Sequence, residues 1–485
     1  RASIAVGADT GPSAVGGFAA ASVTWFRPLP EGETTSCVEA VASCLREGRR
    51  ALVLVPQVHP LAATARAVLE RFGDHAVGFL GGDARERYRT WLAILDGRFD
   101  VVVGTRPAIF APVPDLGLIW VSREVHPGHR EDRAPYYHVR EIAAERARIE
   151  RAACVLASLS PSLRTATGVA AGSILARRFP RRVERDAAPL VEITPPEAED
   201  RSVRLAGLVR KARSGALIAT RAGYGVARVC RSCGAAASCA ACGGPLVFQR
   251  GSVACRACGA AGLCGRCGGT AFGLHRGGVE RVGEWARGLA SVPVEIAGEL
   301  DGVGDGAQPI PGPGRIVVGT VATVEDVGPL RLDVVGILDP DRALARSDLG
   351  AAEQVLAVWM EAAAWAGPKR ARGRVLVQTR HPGGAAIQAL VRWDPLPYLL
   401  HAAEDRARAG FPVDHPTFRL DGIADAGLAD ALRALGVTTL LETAGPTGTV
   451  CLVAIPPGSL MGFRSGVLDL VASGVVTRVE AEPTV

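Results

Sequence analysis

The sequence predicts an α/β protein made of two lobes with largely parallel sheets, a small cysteine-rich module set into the second lobe, and a short α+β tail. Three observations predict it: short apolar runs alternate with helix-period segments, the same alternation returns in the second half, and eight of the 12 cysteines crowd between residues 230 and 267. At 485 residues the chain has room for roughly three domains of ~150 residues. Its hydrophobic fraction of 48% supplies buried cores and excludes a disordered chain.

The first lobe is carried by ALVLVP (51–56), HAVGFL (75–80), FDVVVGT (99–105), LGLIWVS (116–122) and AACVLAS (152–158). Near-continuous apolar runs of this length suit strands buried on both faces. Between them, residues 59–73 and 84–95 place apolar side chains three and four apart, the spacing of amphipathic helices. The second lobe repeats this with GALIAT (215–220), RIVVGT (315–320), LDVVGILD (332–339), a helix near 351–366 and RVLVQT (374–379). DVVVGTRPAIF and RIVVGTVATVE echo each other, and the Gly- and Pro-rich 302–314 reads as a loop. The tail follows FPVDHPTF (411–418), with strands expected at 438–442 and 449–455. The boundaries are 1–23 as an N-terminal remnant or linker, 24–195 as the first lobe, and 196–228 with 272–405 as the second. The module occupies 229–271 and the C-terminal domain 406–485.

The formal net charge is +6, and since Lys211 and Lys369 are the only lysines, 53 of the 55 basic residues are arginine. That excess is mild; it permits a nucleic-acid partner without demanding one. No run of 18 or more apolar residues occurs, so no spanning helix is expected. The first residues, RASIAVGADTGPSAVGG, lack a basic start followed by a leucine-rich core and do not read as a secretory signal.

The clustered cysteines form four Cys-x-x-Cys pairs: Cys230 and Cys233, Cys239 and Cys242, Cys255 and Cys258, Cys264 and Cys267. Two intervening residues let both sulfurs of a tight turn face one ion, and tetrahedral Zn²⁺ takes two such turns. Gly234, Gly243, Gly259 and Gly268 follow the second cysteine of each pair, where the turn favours a residue without a Cβ. A disulfide framework fits poorly in so long a chain, and a redox motif needs one such pair rather than four. Two structural zinc ions are therefore expected. Closed four-thiolate sites organise a fold and leave no position for a reacting water. Spacing leaves the pairing open, although joining the first pair to the second closes an uncomfortably short loop. The scattered Cys37, Cys44, Cys154 and Cys451 read as small buried apolar residues.

Two α/β lobes with an eight-cysteine insert resemble the primosomal protein N′ (PriA) helicases of bacterial replication restart. The likeness runs from about residue 24 to the end. ALVLVPQ is similar to the strand before the family's motif Ia, VVVGTRPAIFAPVPDLGLIWV to its GTR segment leading to motif II, and ASLSPS (157–162) to motif III. RAGYGVARVCRSCG and GGVERV (277–282) resemble the flanks of its zinc domain, and RVLVQTRHPGGAAIQAL with FPVDHPTF the approach to its C-terminal domain. The resemblance implies two RecA-like helicase lobes. It also implies nested zinc sites: Cys230, Cys233, Cys264 and Cys267 for one ion, and Cys239, Cys242, Cys255 and Cys258 for the other. The family's N-terminal domain, which captures a nascent 3′ end, and its winged helix have no counterpart in the similar region.

The family's ATPase needs a loop ending in Gly-Lys-Thr, whose backbone N–H groups and Lys hold the phosphates. Here RPLPEGETTSC (27–37) puts Gly32, Glu33 and Thr34 at that place. A carboxylate repels phosphate oxygens, and Pro28 and Pro30 lack N–H groups. Neither lysine completes a P-loop elsewhere. SREVH (122–126) keeps Glu124 but no Asp for Mg²⁺, GTVATVEDV (319–327) replaces motif V, and Trp365 and Pro368 stand where motif VI has arginines. ATP hydrolysis is therefore not expected.

The resemblance also places HPGHREDRAPYYHVREIA (126–143) at a DNA-touching loop, with Tyr136, Tyr137 and His138 stacking on bases and Arg133 and Arg140 on phosphates. The competing reading packs Tyr136 and Tyr137 beneath the next helix. The expected function is a non-enzymatic DNA-binding protein of the restart primosome that recognises abandoned forks and helps reload the replicative helicase, in the bacterial cytoplasm at the nucleoid. Branched and single-stranded DNA are its expected partners. By resemblance, other primosome proteins, the helicase-loading machinery and single-strand binding protein join them. The rivals are an active ATP-dependent 3′-to-5′ helicase with an unorthodox nucleotide site, and a zinc-ribbon scaffold for RNA or protein.

Overall fold

The computed structural model describes all residues except 1–16, 132, 134–136, 197–200, 220–225, 234–238, 242–245, 250–251, 256–258, 276–277, 298–308, 345–349, 424–426, 438, 445–447 and 482–485. In the first α/β unit the chain runs β1 (Val23–Arg27), α1 (Glu33–Arg46), β2 (Arg50–Leu54), α2 (Ala63–Phe72), β3 (Ala76–Phe79), α3 (Ala84–Leu95), β4 (Val101–Gly104) and β5 (Leu116–Val121). A two-residue hairpin, β6 (Arg130–Glu131) and β7 (Tyr137–His138), leads to α4 (Val139–Glu150), β8 (Ala153–Ala157), α5 (Leu163–Ala170), β9 (Leu175–Arg178) and α6 (Arg181–Ala187). Seven strands pair in parallel in the order β3-β4-β2-β5-β8-β1-β9. Alternate residues of the apolar runs feed opposite faces: Val53, Val103 and Trp120 pack beneath α1 and α2, while Leu52, Val102 and Ile119 pack with Val139 and Ala143 of α4.

The second unit contains β10 (Val191–Thr194), α7 (Val203–Lys211) and β11 (Gly215–Ile218), and after the module α8 (Val279–Arg287), with the remaining strands to follow. The module itself is an antiparallel sheet of β12 (Val226–Cys230), β13 (Leu246–Gln249), β14 (Ser252–Cys255) and β15 (Phe272–His275), in the order β14-β13-β12-β15. Beyond α8 come β16 (Val294–Ile296), β17 (Ile316–Gly319), β18 (Val334–Leu338), α9 (Pro340–Leu344), α10 (Ala351–Ala364), β19 (Arg374–Gln378), α11 (Ala385–Val391) and α12 (Leu396–Arg408). The second parallel sheet has the order β10-β19-β18-β11-β17-β16.

Three expected boundaries move, the first being at 226–228, expected in the second lobe but part of β12 in the module. Residues 191–194 fall inside the range expected for the first lobe, yet β10 bonds to β19 in the second sheet. Ile193 joins the apolar cluster around Val375 and Val377, so burial draws this short strand across. Residues 272–275, expected in the second lobe, belong to the module, because β15 pairs with β12. The C-terminal part is richer than two strands. β20 (Thr417–Gly422), α13 (Leu428–Ala434), β21 (Thr439–Ala444), β22 (Thr449–Ala454), α14 (Leu460–Ala472) and β23 (Val476–Ala481) form an antiparallel sheet, β21-β22-β20-β23, packed on its helices through Leu420, Leu432 and Phe463. Among the described residues no helix is long and apolar enough to cross a membrane.

Candidate metal centre and interlobe cleft

In the module, the Sγ atoms of Cys230, Cys233, Cys264 and Cys267 lie within 4.8 Å of one another. Two separations are resolved: Cys230 to Cys267 at 3.6 Å and Cys233 to Cys264 at 3.7 Å. Four sulfurs at a Zn–S length of ~2.3 Å around a tetrahedral ion sit about 3.8 Å apart, so this cage has the size the ion requires. The outer pairs meet because β12 and β15 are antiparallel neighbours, which brings the chain at 230–233 beside that at 264–267. Gly259 and Gly268 have φ of +73° and +68°, and their N–H groups close turns onto the carbonyls of Cys255 and Cys264 at 3.0 and 2.8 Å. This is the left-handed bend that a Cβ would strain. Burial opposes ionisation of the Cys230 thiol, but N–H bonds from Ser232 and Cys233 outweigh it and bring the group down to about 6. N–H groups of Arg266 and Cys267 likewise lower Cys264.

Of the other four cysteines of the module, Cys239 and Cys255 are buried, and the backbone of Cys239 pairs antiparallel with that of Cys264. Cys242 and Cys258 lie outside the described residues, as do Gly234 and Gly243. Cys37, Cys44, Cys154 and Cys451 are buried in the apolar clusters, as small core residues.

The second candidate region lies where the C-terminal ends of the first sheet face the second unit, the usual place for a site in an open parallel sheet. After β1 the chain makes a tight turn, with the Gly32 N–H bonded to the Leu29 carbonyl at 2.8 Å, and α1 begins at Glu33. The Thr34 hydroxyl is in hydrogen-bond contact with that of Thr64 at 3.2 Å. The Glu33 carboxylate accepts from Ser122 Oγ at 2.5 Å. Burial, then the neighbouring Glu361 and Asp326, push its carboxyl up to about 8. Glu361 is raised as well, chiefly by burial. Arg123, 5% exposed, is the guanidinium among them, donating to the Val324 carbonyl at 3.0 Å and lying 3.6 Å from Glu361. The cleft lined by Glu31, Glu33, Arg123, Asp326, Glu361 and Trp365 holds about 50 Å³, against ~300–1,000 Å³ for ordinary ligand pockets.

Glu124, which the sequence left as the remnant of motif II, does not face this cleft. It is fully buried, accepting from the Ser162 N–H at 2.7 Å and from Arg140 Nη1 at 3.1 Å. It ties the end of β5 to the start of α5, where Ser162 caps the helix. The expected DNA contacts fare unevenly for the same reason. Arg140 is spent on Glu124 and Glu141. His138 caps α4 by accepting from the Arg140 N–H at 3.2 Å, and burial keeps its imidazole neutral, well below its usual range. Tyr137 packs edge-on against Phe110 with centroids 5.3 Å apart. These three side chains are half-buried and each has a partner within the fold. Arg133 remains exposed, and Tyr136 lies outside the described residues. Arg123 escaped the sequence reading. The one signal was an arginine two residues past a fully apolar strand, at the mouth of a sheet.

No protein-family profile matches the chain. Among curated proteins it is 32% identical over 472 residues to the probable replication restart protein PriA of Mycobacterium leprae, covering 91% of this chain and 71% of that protein. It is 31% identical to the Mycobacterium tuberculosis counterpart and 25% identical to the replication restart protein PriA of Bacillus subtilis, covering 84% and 79% of this chain. It spans 63% and 50% of those two proteins' lengths. The Mycobacterium smegmatis helicase Lhr bound to ssDNA and AMP-PNP overlays on 92% of this chain and 58% of its own, at 14% identity and a TM-score of 0.39, too loose a match to argue from. On 32% identity across 91% of this chain and 71% of the M. leprae protein, the chain belongs to the replication restart protein PriA family.

Proposed function

We propose that this protein is a DNA-binding replication restart factor that recognises abandoned forks and promotes reloading of the replicative helicase without hydrolysing ATP. The observation that carries the second half is Glu33. Its carboxyl occupies the head of α1, where a helix N-terminus would otherwise attract phosphate, and the preceding turn spends the Gly32 N–H on Leu29. A triphosphate entering this cleft meets Glu31, Glu33, Asp326 and Glu361 with Arg123 as counter-charge. The family and its cysteine module support the first half. A metal-braced sheet projecting from the second unit offers a rigid surface for partner proteins, and the two α/β units with their arginines supply phosphate contacts.

The test has two arms on the full chain. DNA-stimulated ATP turnover is expected at background both in the wild type and in Glu33→Lys, because one lysine does not restore the loop. Mg²⁺-dependent turnover in the wild type rejects the ATP-independent reading in favour of an active helicase. Binding to forked DNA is expected to exceed binding to linear duplex and to RNA across a salt series. Equal affinity for all three indicates phosphate attraction alone and favours the zinc-ribbon scaffold.

A further inference from the structure

We propose that the two α/β units are held shut by the chain's own side chains, so that the former nucleotide cleft is a ligand-independent clasp; this deepens the ATP-independent reading and rests on it. Three sets of bonds cross the cleft. Asp326 of the second unit accepts the Thr64 N–H on its carboxylate at 3.1 Å and the Ala63 N–H on its carbonyl at 2.9 Å, and donates its own N–H to Gln57 Oε1 at 3.3 Å. Arg123 of the first unit reaches Val324 and Glu361 of the second. Arg331 meets Glu31 through two bonds of 2.9 Å.

Asp326 matters most, because it satisfies two of the N–H groups that the first turn of α2 leaves without an intrahelical partner, which a separated unit would leave to water. The Arg331–Glu31 pair is half open to solvent and sets alignment rather than strength. Apolar contacts cross as well. Leu159 of the first unit is buried in the second unit's core, and Leu163 and Ala166 of α5 pack on Leu399 and Ala403 of α12. In a nucleotide-driven machine the ligand supplies the bridge between lobes and its departure releases them. Here Asp326, Arg123 and Arg331 make the crossing bonds with groups of the chain itself.

Hydrogen–deuterium exchange of the peptide spanning residues 57–69, with small-angle scattering on the same samples, tests the clasp. The full-length, metal-loaded protein without nucleotide is expected to scatter as the closed form, protect the start of α2, and show no change with Mg-ATP. Asp326→Ala should speed exchange there at least ~10-fold. Should that variant not fold, Glu31→Arg is expected to expand the particle slightly and Glu31→Arg with Arg331→Glu to restore it. An expanded, unprotected wild type without nucleotide overturns the clasp. Contraction on adding Mg-ATP overturns both the clasp and the ATP-independent reading. A closed particle that shows no preference for forks supports the clasp while removing the proposed DNA role.

Discussion

In the cysteine module, four thiols are brought within 4.8 Å of one another; in the cleft, Glu33, Glu361 and Asp326 are brought together around Arg123. Both are crowds of like groups, and each is relieved differently. Sulfurs at tetrahedral spacing on N–H-donating turns are organised for a divalent ion, which discharges them and joins the two ends of the module's sheet. The carboxyls lie around one arginine, and burial with the neighbouring acids raises the Glu33 carboxyl to about 8. The cage is thus sized to take an ion from outside, while the cleft's carboxyls sit against the chain's own guanidinium.

The sharpest way to break this contrast is to remove the metal. Chelation, or Cys264→Ser, is expected to abolish ion retention and unfold residues 226–275, since a structural zinc site contributes about 10 kcal/mol or more. Metal analysis after gel filtration, combined with exchange over that segment, reads it; a metal-free chain with an intact module would dissolve the comparison. Next in size is Arg140→Ala, which strands the fully buried Glu124 and should cost about 3–5 kcal/mol in a denaturant melt. Adding Glu124→Gln should return part of the loss.

A smaller effect sharpens the view of the cleft. Glu33 holds its proton to about 8 in the fold, against an ordinary 4.5. Between those values the unfolded chain releases the proton and the native one retains it, so this group's contribution to stability falls as pH rises. Glu33→Gln should raise Tm by several degrees near pH 8 and leave it unchanged near about pH 4; an equal shift at both would mean the carboxyl is not the source. Smallest is Arg133→Ala. It should leave Tm unchanged, weaken DNA binding less than about tenfold and reduce the salt slope by about one, as for the loss of a single phosphate contact.

Much of the frame was readable because burial on two faces leaves a continuous apolar run, and the strands at 51–54, 101–104, 116–121 and 153–157 advertise themselves in that way. β9, with the sequence LARR, does not, because it is an edge strand whose side chains stay half exposed. β23 pairs along the edge of the C-terminal sheet with alternating polar residues and was equally silent. The cysteine pairs were legible as ligands, but their partnership was not, since it depends on β12 lying against β15, where Cys230 pairs with Phe272, 42 residues further on. At the site, Glu33 was visible as a misplaced charge, whereas the partners of Tyr137, His138 and Arg140, namely Phe110, the α4 terminus and Glu124, were not, because packing rather than local spacing brings them together.

The sequence by itself determined the two parallel sheets, the four thiol pairs and the absence of a Gly-x-x-x-x-Gly-Lys-Ser/Thr stretch, because each is written in local residue type and short-range spacing. Only the tertiary structure decided which thiols share a cage, where β10 belongs, and that Asp326, Arg123 and Arg331 reach across the cleft. Those outcomes join residues far apart in the chain, where the geometry of packed sheets, rather than any nearby pattern, fixes which groups meet.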